Sequence, residues 1–500
     1  MPLFDVRRAV MVVLAALVLL WPAAINGGVF FSTDSIGYIR GVDQVVGKLF
    51  GDRAKTVWSA LPMGLGFSVQ PGAALAPSPA KSPPMAGRSV YYGALVNLGA
   101  RTGGFWLSVV IQCLMGAFSL HLLARAFGWR REASYALLVG AAAFLTPLPF
   151  ILDGLMPDAL TPVLAVAAAA VVAGGKRLSR WEWVCAFALL AFAGMSHTTH
   201  LILMFGLVLV ALLIAATGVG RTTRAAPMKG AGLLGLALMA GLLSGMAFNV
   251  AVQKAYGAPP VQPPFLTARL IGDRRSGDAF IRRHCPQAGF AVCQFKDRLP
   301  METDDFLWGA SAPHAAFWTA DPKTRVALGN EQFKFAAAVF AENPLGVADQ
   351  VITDGWSQAR DMSLFEVNHK DNVRAAMQVW MVGPDAVQWR ASMAYRKAWP
   401  TALLDLVEEA MVLTAALALA ALAIRKRAGV QADAASCAIL IAGLVVLAAL
   451  LGNALICGGL SGIFGRYQAR ITAPFILVGL AALMDLRRGR SDVGASTSRT

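Results

Sequence analysis

Long apolar runs alternate with short polar breaks along most of the chain. Ten runs are predicted to span a membrane, at about 9–27, 105–124, 134–152, 159–175, 181–196, 200–217, 231–252, 402–424, 435–457 and 471–486. About 20 apolar helical residues cross a bilayer core. Elsewhere the pattern changes. After the first run, Ile39, Val42, Val45, Val46 and Leu49 recur at helical spacing, which predicts an amphipathic helix lying in the interface plane. Pro71, Pro77, Pro79, Pro83 and Pro84 follow, and so many prolines read as a mobile loop. A second short helix, from about Ser89 to Leu98, leads into the second run. Residues 253–400 mix aromatic and charged positions and are long enough for a small, mainly helical outer domain. The expectation is an all-α polytopic membrane protein. Residues 1–252 form a first membrane module with an outer loop at 28–104, residues 401–490 a second module, and 491–500 a disordered cytoplasmic tail.

Composition agrees: 57% of residues are hydrophobic and 15% charged, which excludes an ordinary soluble domain. A net charge of +15 would point to nucleic acid in a soluble protein, but here the charge is segregated. Arg7 and Arg8, then Arg125, Arg130 and Arg131, then Lys176, Arg177 and Arg180 sit in alternate breaks, as do Arg221, Arg224 and Lys229, then Arg425, Lys426 and Arg427, then Arg487, Arg488 and Arg490. The breaks near 153–158 and 197–200 carry no Lys or Arg. Basic loops stay in the cytoplasm, so both termini are expected there and the other loops face outward. No basic motif is interleaved with aromatics, so no nucleic-acid partner is expected. The opening "MPLFDVRRAVMVV" resembles a signal peptide, but the apolar run continues to Ala24 and reads as an uncleaved anchor. Cleavage would leave the later topology unchanged. Cys113, Cys185, Cys437 and Cys457 fall in or at the ends of runs and read as packing residues. Cys285 and Cys293, eight apart in an outward segment, are expected to form a disulfide if a turn brings them together.

Four polar clusters fall on the outward side: "TDS" at 33–35, "LMPDA" at 155–159, "MSHTTH" at 195–200 and "GRYQAR" at 465–470. Each has a plain reading beside a chemical one. Asp34 either caps the following helix or acts as a base or metal ligand. Asp158, after Pro157, either starts a helix or joins Asp153 in holding a cation. His197 and His200 are either hydrogen-bonded interfacial residues or a metal- or phosphate-facing pair. Arg466 and Arg470, four apart with Tyr467 beside them, break the charge rule for an outward loop. They either pair with acids and headgroups or bind a phosphate.

An acid just after the first span, a long first outer loop with interfacial helices, ten or so spans and a late "RY" cluster resemble the C-type (GT-C) integral-membrane glycosyltransferases. The likeness covers roughly residues 1–250 and 400–490. It implies a multi-pass transferase of the bacterial inner membrane that moves a sugar from a polyprenyl-phosphate carrier to an envelope lipid, glycan or protein, on the outer face. It implies catalysis by Asp34 and phosphate binding by Arg466 and Arg470; Tyr467, His197, His200 and Asp158 are expected around the substrate because their clusters share the outward side. The family's paired acid is missing: the next acids after Asp34 are Asp43 and Asp52, which leaves dependence on a divalent cation such as Mg or Mn open. A membrane transporter and a non-catalytic polysaccharide-assembly protein are the alternatives. Oligomeric state, sugar and acceptor have no signature in the sequence.

Overall fold

The computed structural model describes residues 6–60, 85–218, 225–272, 275–309, 315–381, 383–428 and 434–497. The proline-rich stretch at 71–84 lies outside them. The described chain is helical without named strands; isolated bridges join Phe30 to Gly154 and Met85 to Val261.

The principal helices are α1 (Val6–Leu19), α2 (Ser35–Phe50), α3 (Val90–Thr102), α4 (Trp106–Ala126), α5 (Glu132–Phe144), α6 (Leu160–Gly174) and α7 (Arg180–Ser196). They continue as α8 (Thr198–Thr217), α9 (Ala225–Tyr256), α10 (Pro322–Glu342), α11 (Pro344–Arg360), α12 (Thr401–Arg427), α13 (Ala434–Leu460) and α14 (Gly465–Thr497). Among the described residues, 8 segments are long and apolar enough to cross a membrane. They are Val6–Asn26, α4, Pro157–Arg177, α8, α9, α12, α13 and Gly465–Arg487. The protein is therefore a multi-pass membrane protein. The two other expected spans fall on shorter helices, α5 with 13 residues and α7 with 17. Pro147 and Pro149 lack an N–H and stop α5 early, and the short helix Leu148–Leu152 follows. α7 opens with a capping box between Ser179 and Glu182 and ends where His197 turns extended.

α6 is the centre of the bundle. Each of its residues is buried, and its run of alanines lets α4, α7, α9 and α13 pack closely around it. α9 and α12 are peripheral, with only 22% of their most apolar stretches buried in protein. α14 continues to Thr497, so the tail expected to be disordered from 491 is helical to that point. No proline follows Pro474 to interrupt it.

α2 and α3 fall where the two helices of the first loop are expected. They pack tightly because Gly93 faces the Tyr38 carbonyl oxygen, where a Cβ would sit 2.7 Å away. The apolar face of α2 is split: Ile39 and Val42 are buried, whereas Val45 and Leu49 are exposed.

Residues 253–400 behave as two parts. Ala268 to Val339 build a core of their own around Phe280, Phe306, Phe317 and Phe335. Cys285 and Cys293 are disulfide-bonded there, with α-carbons 5.3 Å apart. Met377, Trp380 and Trp389 instead join the main core of the bundle. Asn26 fastens this second part, accepting from the Ala394 N–H (2.9 Å) and the Trp399 indole (3.2 Å).

Candidate functional site

The polar breaks between alternate helices gather at one end of the bundle. Phe30 pairs with Gly154, Ser89 Oγ donates to the Met195 carbonyl (2.7 Å), and Asn453 Nδ2 donates to the Tyr467 carbonyl (2.5 Å). Residues 253–400 lie at this end too: Phe464 N donates to Gln358 (3.0 Å). This end is the domain side. Arg125, Arg177 and Glu182 meet at the opposite, basic side.

Asp34 occupies the cap position of α2, yet its carboxylate makes no capping bond. Ser35 anchors the turn instead, accepting from the Ser32 N–H (2.9 Å) and donating to the Leu155 carbonyl (2.9 Å). That frees Asp34 to pair with Arg88. Arg88 immediately precedes Ser89, which caps α3. Its guanidinium lies 5.8 Å from the Tyr38 ring centroid. Burial disfavours the Arg88 cation, but Asp34 and Tyr38 more than offset it and hold the group above its ordinary pKa. Both partners keep access to solvent, Arg88 at 28% and Asp34 at 22%.

A second pair sits beside the first. Arg466, in the first turn of α14, bonds Glu366 at 3.0 Å and is 28% exposed. Its guanidinium also faces the rings of Tyr467 (5.1 Å) and Phe464 (5.5 Å). Its Nε–H has no partner among the described residues. The charges of Arg88, Asp34 and Arg466 all bear on His197, and those of Arg88, Asp34, Tyr467 and Arg466 on Tyr38. These residues therefore share one neighbourhood. His197 caps α8 through Nδ1, which accepts from the Thr199 N–H (3.2 Å). Burial first, then His200 and Arg88, push its imidazole down to about 3, so it is neutral near pH 7. Asp304 belongs to the same group: surrounding protein raises its carboxyl above the usual range, Arg466 opposes the rise and Asp34 adds to it.

Asp158, His200 and Arg470 lie below this accessible layer. Arg470 is 2% exposed and enclosed by Asp158, Asn453 Oδ1 (3.1 Å) and Cys457 Sγ (3.0 Å). The expectation that Arg470 and Asp158 touch substrate is corrected: they satisfy one another out of solvent. His200 is corrected likewise. Its Nδ1 can only donate to the Ala193 carbonyl (2.7 Å), so its Nε2 accepts from the Thr161 hydroxyl (2.8 Å) and no ring position is left. Tyr467 stays at the accessible layer, its ring between Arg466 and Arg470, 4.8 Å from the latter.

The donors present do not fit a divalent cation. Asp34, Glu366 and Asp158 are each matched by a guanidinium. Asp153, expected to join Asp158, accepts from the Ala23 N–H (2.8 Å) instead. Asp43 is occupied as a loop clip, holding Thr56 N (3.0 Å), Ser59 Oγ (2.6 Å) and Asn97 Nδ2 (2.9 Å). Among the described residues, no three His, Cys, Asp or Glu side chains group as a metal site.

Arg88, Glu366 and Asp304 escape a sequence reading. Arg88 lies in a long loop with several other basic residues, where the charge rule that singles out Arg466 loses its force. Glu366 stands 100 residues from the arginine it meets, and no local spacing encodes that contact. No protein-family model, curated protein or solved structure matches this chain.

Proposed function

We propose that the protein is an inverting membrane glycosyltransferase that takes a sugar from a polyprenyl-phosphate carrier and delivers it to an envelope lipid, glycan or protein on the outer face of a bacterial inner membrane. One observation supports this above the rest. Asp34, Arg88, His197 and Arg466 come from four separate segments to one site at the ends of membrane helices. A polyprenyl chain holds its phosphate at such a depth, and two partly accessible guanidiniums suit a phosphate there.

The residues suggest a sequence of roles. Arg466 and Arg88 receive the donor phosphate, so Arg88 exchanges Asp34 for the lipid anion. Asp34, released, accepts the proton of an acceptor hydroxyl. The acceptor oxygen bonds to the anomeric carbon as the bond from that carbon to the phosphate oxygen breaks, and the electron pair leaves with the polyprenyl phosphate. The two arginines stabilise that charge from fixed positions. Neutral His197 keeps α8 capped beside them without adding positive charge. Asp34→Asn is expected to lower transfer by about 10²–10⁴-fold, the usual range for a lost general base. Envelope glycans and lipid-linked sugars would be profiled in cells carrying either form at equal abundance. An undiminished product in Asp34→Asn would favour the polysaccharide-assembly alternative.

The transporter reading keeps one observation of its own. Glu408 is 2% exposed within α12, and its Oε2 has no partner among the described residues. It lines a small cavity of about 30 Å³ with Trp21, Phe150 and Leu364. Ionisable groups inside spans often mark transport paths. Solute uptake by vesicles containing only this protein, abolished by Glu408→Gln, would establish that reading instead.

A further inference from the structure

Two helices of the 253–400 segment carry an apolar face that the described chain leaves uncovered. On α10, Val326, Phe333 and Phe340 repeat at intervals of seven, with Asn330 and Ala337 between them. Phe333 is 75% exposed and Phe340 52%. The stripe continues on α11, where Leu345, Ile352 and Trp356 are 83%, 62% and 64% exposed. An apolar belt of this kind on a folded chain marks a contact surface.

The other face of α11 shows what that contact is. Val351, Asp354 and Gly355 pack against Leu455, Gly458 and Gly459 near the end of α13. The approach is close: a Cβ on Gly458 would lie 2.5 Å from the Asp354 carbonyl oxygen. α13 is an apolar membrane-spanning segment, and its Leu451 and Leu455 are 50% and 45% exposed. Leu455, which presents that lipid-facing side, also touches Gly355, the residue next to Trp356. The bare face of α11 thus continues the face that α13 turns to lipid. α11 also exposes Asp349, Thr353 and Arg360. Such a helix, apolar along one stripe and polar along the next, with a Trp and an Arg at one end, suits the boundary between headgroups and acyl chains.

We propose that α10 and α11 are seated in the bilayer leaflet on the domain side, with phospholipid as their partner. Lipid contact then reaches the charged site through one side chain. Gln358 of α11 donates to the Phe464 carbonyl (2.9 Å) and accepts from the Phe464 N–H (3.0 Å). Phe464 lies two residues before Arg466, so the helix resting on lipid also sets the start of α14. The seating does not depend on whether the site transfers sugar.

The test uses the full chain in phosphatidylethanolamine–phosphatidylglycerol vesicles, with Cys113, Cys185, Cys437 and Cys457 replaced by alanine and the disulfide kept. Spin labels are placed through Ile352→Cys, Trp356→Cys or Leu345→Cys, with Lys323→Cys on the exposed first turn of α10 as a reference. Collision rates are measured with oxygen, which concentrates in acyl chains, and with a water-soluble nickel chelate. The ratio of oxygen to nickel collisions is expected to be several-fold higher at 345, 352 and 356 than at 323. A ratio equal to that at 323 would place the face in water and overturn the proposal. Low collision rates with both reagents would overturn it too, by showing the face buried against protein, such as a second copy.

Discussion

Arg466 and Arg470 lie one helical turn apart and meet different fates. Arg466, in the first turn of α14, keeps 28% of its side chain accessible beside Glu366. Arg470, a turn further in, is sealed against Asp158. Removing Arg470 alone strands a buried carboxylate, which costs about 3–5 kcal/mol. Arg470→Met is therefore expected to lower the midpoint of thermal unfolding in detergent sharply. Arg470→Met with Asp158→Asn should recover much of the loss, because no charge is then left uncompensated. Equal midpoints for the single and double variants would show that the pair is not the cause. The spacing of the two arginines, like that of His197 and His200, was legible as a shared face. Depth was not, because it depends on how far each helix end projects beyond its neighbours. Asp34 illustrates the reverse. Its position beside a helix start suggested capping, but Ser35 supplies the local anchor and Arg88, 54 residues away, takes the carboxylate.

Whole elements were more legible than contacts. Apolar periodicity placed α2 and the longer spans, and Ser89 marked the start of α3. The span at 134–152 came out short because Pro147 and Pro149 end its helix, a stop that a hydropathy run does not register, whereas the run at 181–196 matches the helix Arg180–Ser196. The attachment of residues 364–399 to the first loop was not legible, since it uses Asn26 and His369 far apart in the chain. His369 makes this attachment sensitive to pH. The Trp389 indole N–H can only donate, so it fixes His369 Nδ1 as an acceptor (3.1 Å) and Nε2–H as the donor to the Phe31 carbonyl (3.1 Å). Protonation would set two donors face to face. Burial accordingly pushes His369 down to about 4, against an unfolded value of about 6.5. The unfolded chain binds the proton first, so this contribution to stability is complete above pH 6.5 and is lost as pH falls towards 4. The loss amounts to on the order of 3 kcal/mol. Thermal unfolding at pH 7 and pH 4.5 should show a smaller acid shift in His369→Asn than in the wild type; identical shifts would remove His369 as the cause.

At the scale of the molecule, charge divides the two sides of the bundle. Arg125, Arg177 and Glu182 tie the basic side together through α4 and α7. On the other side, the two arginines of the site are each paired with an acid, Arg88 with Asp34 and Arg466 with Glu366. Short loops rich in Lys and Arg are retained in the cytoplasm during insertion, and nearby acids change that little. With the Lys- and Arg-rich loops in the cytoplasm, the proposed site is expected to face outward, the side on which the proposed polyprenyl-linked donor would be met. Sidedness can be measured independently of catalysis. With the four free cysteines replaced, Asp304→Cys probes the domain side and Lys176→Cys the basic side. A membrane-impermeant maleimide should label position 304 in intact cells and position 176 only after permeabilisation. The reverse pattern would put the site in the cytoplasm, where nucleotide-linked donors are available, and would remove the main reason for choosing a polyprenyl carrier over a soluble one. Labelling of both positions in intact cells would mean that the segment between them does not cross the bilayer as the spans require, and the topology itself would have to be redrawn.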